Sequence, residues 1–138
     1  TQARLGRTRY HRIYRFKSFL EAGVNVIFNS DFPYGGGEMP TKKDNSKYIG
    51  FEPILGIHAA CYRQLNPPES VTLEQALQCY TVNAAYANYR ERQLGKLKQG
   101  YFADFTVLSE NILNCSPEEL LKTEVLQTFI NGELAYEK

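Results

Sequence analysis

The chain has 138 residues, 43% of them hydrophobic and 22% charged, which is ordinary globular composition and enough for about one domain of ~100–150 residues. Sixteen basic residues against fifteen acidic leave a formal net charge of +1, so the whole-chain charge gives no support for a phosphate backbone or an anionic membrane as partner. No apolar run approaches the ~20 residues of a membrane span, and none has the shape of a signal-peptide core.

The charge is unevenly spread. Arg4, Arg7, Arg9, Arg12, Arg15 and Lys17 occur with no acid between them, interleaved with Tyr10, Tyr14 and Phe16, which is the composition of a nucleic-acid arm. A basic stretch that runs into a helix is more often a solvated face or a contact with the rest of a larger protein, and that reading is favoured. Phe16, Phe19 and Leu20 then recur at i, i+3 and i+4 before Gly23, predicting a short amphipathic helix ended by the glycine. The following "VNVIFN" predicts a strand over 24–29. Its nearly continuous apolar run predicts burial on both faces, as in a parallel sheet.

Residues 31–53 are rich in Gly, Pro, Lys, Asp and Asn, a length of connection usually reserved for function. Helical spacing resumes through Ile54, Ile57, Cys61 and Leu65 until "NPPES" breaks it. Thr72 and Gln75 have the spacing of a capping box, opening a helix with Leu73, Ala76, Leu77 and Tyr80 on its apolar side, and a further helical stretch reaches Gly95. Beyond Gly100 the character changes. "YFADFTVLS" predicts a strand, Ser116 and Pro117 open a short helix as N-cap and first residue, and "VLQTFINGELAYE" predicts a hairpin turned at Asn131-Gly132. A lone strand over 24–29 would leave both edges unpaired, so it needs either these tail strands or neighbours outside the 138 residues.

Cys61, Cys79 and Cys115 are odd in number and far apart, fitting neither a disulfide framework nor a metal knuckle, so the sequence reads as a reduced, cytoplasmic protein. Cys61 and Cys79 fall on apolar helix faces as small hydrophobes. Asp31 is the foremost site candidate. It lies at the C-terminal end of the predicted strand and opens the glycine-rich segment, where α/β barrels place catalytic groups. A carboxylate there could ligate a divalent cation and take a proton from metal-bound water, or simply cap the turn; position alone does not choose between them. His58, beside Ala59 and Ala60, reads as a packed histidine, and His11, among arginines, as exposed. Gly35-Gly36-Gly37 lacks a following Gly-Lys-Ser/Thr and is no phosphate loop, leaving hinge or linker open. Arg63 could face substrate or a neighbouring helix.

"RIYRFKSFLEAGVNVIFNSDFPY", "GIHAACYRQ", "TLEQALQCYTVNAAYA", "LGKLKQGYFADFTVLS" and "VLQTFINGELAYE", in this order, resemble the C-terminal part of the amidohydrolase superfamily, especially its amidohydrolase-3 or YtcJ-like branch. The resemblance covers nearly all of residues 10–137. It implies the fold class α/β: the C-terminal fragment of a metal-dependent (β/α)8 TIM barrel, joined to strands of an accessory β-sandwich. Residues 1–94 would end the barrel domain, and residues 95–138 would belong to the sandwich. Asp31 would match the family's last metal-site aspartate, serving as metal ligand and catalytic proton acceptor, and Asp104 would be structural at the turn into the sandwich.

The implied cofactor is a divalent metal, zinc first, held by the intact enzyme rather than by this fragment. The implied substrate is a small amide or formamide; the rest of the barrel chain is the implied partner, with self-association through its exposed faces, and neither nucleic acid nor membrane is expected. The family's His-x-His pair and later histidine ligands have no counterpart among His11 and His58, and a zinc site needs three or four ligands. The implied chain is therefore the end of a longer hydrolase, inactive alone. A different class, a small interaction domain using the basic arm of residues 4–17 on nucleic acid or an acidic partner, is the alternative.

Overall fold

A computed structural model of the chain describes residues 5–30, 52–62 and 66–138. Along them run α1 (Arg7–Tyr10), α2 (Phe16–Glu21), α3 (Pro53–Cys61), a 3-10 turn (Pro67–Glu69), α4 (Leu73–Tyr80), α5 (Val82–Ala87), β1 (Phe105–Leu108), a second 3-10 turn (Ile112–Asn114), α6 (Pro117–Leu120), β2 (Val125–Ile130) and β3 (Glu133–Glu137).

Local chemistry explains where these elements begin and end. Gly23 follows α2 at φ +75°, and its N–H donates to the Leu20 carbonyl at 3.0 Å, closing the helix as the sequence predicts. The capping box at α4 is formed in both directions: Gln75 N–H donates to Thr72 Oγ1 at 3.2 Å, and Thr72 N–H donates to Gln75 Oε1 at 2.9 Å. Ser116 opens α6 in the same way with Glu119, and the backbone N–H donated by Ser116 holds the Glu119 carboxyl below its ordinary range. α3 carries Pro53 at its first turn and reaches Tyr62 as C-cap; Leu65, placed on this helix by the sequence, lies outside the described residues.

The core forms where helices meet the second 3-10 turn and α6. Ile57 and Ala60 of α3, Val71, Ala76 of α4, Ile112 and Leu120 of α6 make one buried cluster, with Phe16, Leu20, Phe28 and Leu108 packed around it. Leu55, Cys79 and Leu120 are fully enclosed; burying a leucine side chain contributes about 2 kcal/mol. Gly95 fits against the junction of α4 and α5 because it lacks a side chain. At φ +85°, a Cβ there would lie 2.9 Å from the Thr81 carbonyl oxygen and 3.0 Å from Ala85 Cβ.

The described sheet has three strands in the order β1-β2-β3, both pairs antiparallel. Phe105 lies opposite Phe129 and the two rings stack with centroids 4.5 Å apart, a cross-strand pair that fixes register. Asn131 and Gly132 take φ of 52° and 82°, the positive values that a two-residue primed turn demands. Asp104 Oδ1 accepts the Asn131 N–H at 2.6 Å, and Gly132 N–H donates to Ala103 O at 3.0 Å, so the turn is tied to the entry of β1. Asp104 is thus a turn residue, in keeping with its structural assignment.

Residues 24–30 depart from expectation. They take no part in this sheet, whose strands pair with one another. Within the 138 residues burial is one-sided: Val26 and Phe28 are half-buried, whereas Val24 and Ile27 are 49% and 42% exposed. Alternate burial is the period of extended chain covered on one side, and here the cover is the helices.

Candidate functional site

Asp31, the principal candidate, lies outside the described residues, as do Gly35-Gly36-Gly37 and Arg63. The described geometry is that of the chain leading to Asp31. Three hydrogen bonds link residues 25–28 to the end of α4 and the start of α5. Asn83 Nδ2 donates to the Val26 carbonyl at 2.8 Å, Phe28 N–H donates to the Cys79 carbonyl at 3.2 Å, and Asn25 Nδ2 makes a long bond of 3.5 Å to the Asn83 carbonyl.

The Phe28 ring meets Phe16 at 4.8 Å and Tyr80 edge-on at 5.6 Å, adding an aromatic anchor between α2 and α4. Burial there pushes the Tyr80 phenol up. Neither Asn83 nor this trio emerges from sequence reasoning. The available signal is an asparagine in the alanine-rich run "VNAAYA", since asparagine is a weak helix former and its presence inside a helix asks for a partner.

The remaining candidates take structural roles. His58 is half-buried on α3, its ring 5.2 Å from Tyr62 and its Nδ1 enclosed without a hydrogen-bond partner among the described residues. Burial lowers its pKa, and the nearby Glu118 carboxylate pulls the other way. This is a packed histidine whose charged form burial disfavours. His11 is exposed, and its carbonyl accepts Asn66 Nδ2 at 3.0 Å. The Cys61 thiol is pushed up to about 11, mainly by burial with Glu74 adding to it, and Cys79 is wholly buried, so both behave as small apolar groups.

In the basic arm, Arg15 Nε stands 3.8 Å from Glu69 Oε1. The same carboxylate accepts Ser18 N–H at 2.9 Å and Ser18 Oγ–H at 2.5 Å, serving the first turn of α2. Arg15 therefore faces an intramolecular acid.

Among the described residues no three His, Cys, Asp or Glu side chains come together to hold a metal ion. A donor set for a divalent cation is thus not met by these residues. Two open surface hollows, about 310 Å³ each, are lined by Gln93, Tyr101 and Phe102, and by Arg90, Phe102, Asp104 and Ile130. The only carboxylate there is engaged with the hairpin turn. Among the described residues no helix is long and apolar enough to cross a membrane.

Comparison with known proteins places these features in a family. The family model described as "Amidohydrolase family" matches residues 1–136. The chain is 31% identical over 144 residues to "Putative amidohydrolase YtcJ" of Bacillus subtilis, covering 98% of this chain and 25% of that protein. It is 31% identical over 133 residues to the N-substituted formamide deformylase of Arthrobacter pascens, covering 92% of this chain and 22% of that protein. A crystal structure of an amidohydrolase from Thermotoga maritima aligns at a TM-score of 0.47 and 18% identity, covering 95% of this chain and 36% of that one. The chain spans about a quarter of the length of the first two relatives. With a family model matched along almost its entire length, the chain belongs to the amidohydrolase family.

Proposed function

We propose that these 138 residues are the C-terminal part of a cytoplasmic, metal-dependent hydrolase of C–N bonds in small amides or formamides. The observation that carries this reading is the amidohydrolase family model matched over residues 1–136. The likeness to an N-substituted formamide deformylase supports the substrate class.

In this reading residues 1–94 complete a (β/α)8 barrel and residues 95–138 contribute strands to a β-sandwich. The exposed side of residues 24–28 then faces barrel chain outside the 138 residues. Asp31 is one ligand of a divalent metal, zinc in the first instance, and its carboxylate accepts a proton and returns it to the leaving nitrogen. The metal, when bound, polarises the carbonyl and lowers the pKa of water. In this reading the family's His-x-His pair and later histidine ligands lie on chain outside the 138 residues, so these residues by themselves are expected to be inactive and to bind no catalytic metal.

The test uses the full-length protein with N-substituted formamides as substrates and metal content measured in parallel. Asp31→Asn is expected to lower kcat by at least about 10²-fold, the smaller end of what a positioned proton-transfer group contributes. An Asp31→Asn enzyme that hydrolyses at the parent rate removes the role given to Asp31.

A further inference from the structure

We infer that Asn83 is a positioning residue: its side-chain amide holds residues 25–28 in register against the helices and thereby sets the approach of the backbone to Asp31. The inference about activity rests on the role proposed above for Asp31; the inference about register does not.

The chain between Gly23 and Ser30 passes over the α4–α5 junction, and residues 24–30 are absent from the described sheet's ladders. The contacts that hold residues 25–28 are with the helices. Of the three hydrogen bonds that tie residues 25–28 to the α4–α5 junction, only that from Asn83 Nδ2 to Val26 O, at 2.8 Å, is both short and made by a side chain that mutation can remove. Phe28 N–H to Cys79 O is backbone to backbone, and the Asn25 bond is 3.5 Å long.

Asn83 is itself well fixed for this task. It follows Val82, the first residue of α5, and its amide also approaches Cys79 Sγ at 3.9 Å, a sulfur wholly buried in the preceding helix. A donor held by a helix start and aimed at a carbonyl defines one register; a slip by one residue would exchange the half-buried Val26 and Phe28 for Ile27 and Asn29. Asp31 follows Phe28 by three residues in the chain, and misplacement of about 1 Å in a reacting group can cost 10²-fold.

Two variants test this, Asn83→Ala and Asn83→Asp. Aspartate has nearly the shape of asparagine and suits the first turn of a helix, so it keeps the fold while removing the donor. The first readout is amide exchange at Phe28 in the full chain, with Ser109 N–H, bonded to Glu124 O at 2.9 Å beside the sheet, as internal control. Loss of one hydrogen bond is expected to speed exchange at Phe28 about tenfold in both variants and leave Ser109 unchanged. The second readout is kcat against KM in the full-length hydrolase. We expect kcat about tenfold lower with KM within about twofold, because a displaced reacting group weakens the transition state more than substrate binding.

Unchanged exchange at Phe28 in both variants overturns the clamp. Faster exchange with parental kcat supports the clamp and overturns its catalytic consequence, provided Asp31→Asn is inactive. If Asp31→Asn keeps full activity, the role of Asp31 has failed, and exchange at Phe28 alone decides whether Asn83 holds the register.

Discussion

Residues 24–30 and strand β2 (Val125–Ile130) are apolar stretches of almost equal length, and they are held in different ways. β2 lies between two antiparallel neighbours, so its backbone groups are satisfied by ladders on both edges. In residues 24–30, Val24 N–H donates to Phe19 O of α2, and residues 25–28 are held against the helices by an asparagine amide, a backbone bond to Cys79 and an aromatic cluster around Phe28. The difference teaches that an apolar extended run acquires its structural identity from what lies beside it. A ladder distributes stability over many equivalent bonds; a tether concentrates it in a few named groups, whose removal can shift the segment while the core stands.

Three experiments would break or sharpen that contrast. The largest effect is expected at Gly95, where the chain after the helices packs against the α4–α5 junction that also receives residues 24–30. Gly95→Ala should cost about 3 kcal/mol, combining a left-handed backbone with a Cβ 2.9 Å from Thr81 O. Urea denaturation showing less than about 1 kcal/mol would mean the junction yields easily, and tethers to it would be soft.

Next comes a matched pair of truncations. Phe129→Ala removes the half-buried ring stacked on Phe105 in the ladder and should cost about 2 kcal/mol, below the full core value because the site is only partly enclosed. Ile27→Ala, on the exposed side of the tethered segment, should cost about 0.5 kcal/mol. Equal costs would show that the two stretches are supported alike.

The smallest effect concerns pH. His58 has an ordinary pKa of 6.5 and a lowered one in the fold, so between those two values the unfolded chain binds more protons than the folded one. Its contribution is therefore fully present above about 6.5 and is lost as pH falls through the folded value. The melting temperature should fall as pH is lowered from about 7.5 to about 5, and His58→Gln should flatten that fall. Glu118→Gln should steepen it, since the Glu118 carboxylate raises the His58 pKa. A slope unchanged in His58→Gln would show that the buried imidazole is not its source. Because the histidine belongs to α3, hydrogen exchange should report the loss in the helical layer.

Much of this was legible from the residues. Thr72 with Gln75, Ser116 with Pro117, Gly23 after α2 and Asn131-Gly132 between two apolar runs are local devices, each satisfied by atoms a few residues apart, and the fold realises all of them. The reading of Asp104 as structural and His58 as packed also agrees with their surroundings. What the residues did not reveal was non-local. "VNVIFN" carries the composition of a strand buried on two faces, yet that composition cannot report which chain will lie beside it. Asn83 and Val26 are separated by 57 positions, and no local pattern pairs an amide in one helix with a carbonyl that far away.

The sequence by itself determined the starts of α4 and α6, the end of α2, the hairpin turn and the family to which the chain belongs, because capping groups, turn residues and ordered motifs act over short spans of chain; the helical run expected as far as Gly95 stops instead at Ala87. The tertiary structure alone decided that β1 pairs with β2 of that hairpin, that residues 24–30 lie one-sided on the helices, and that Asn83 holds residues 25–28. Those outcomes depend on competition among distant partners for the same backbone groups and apolar surface, and only the assembled core resolves it.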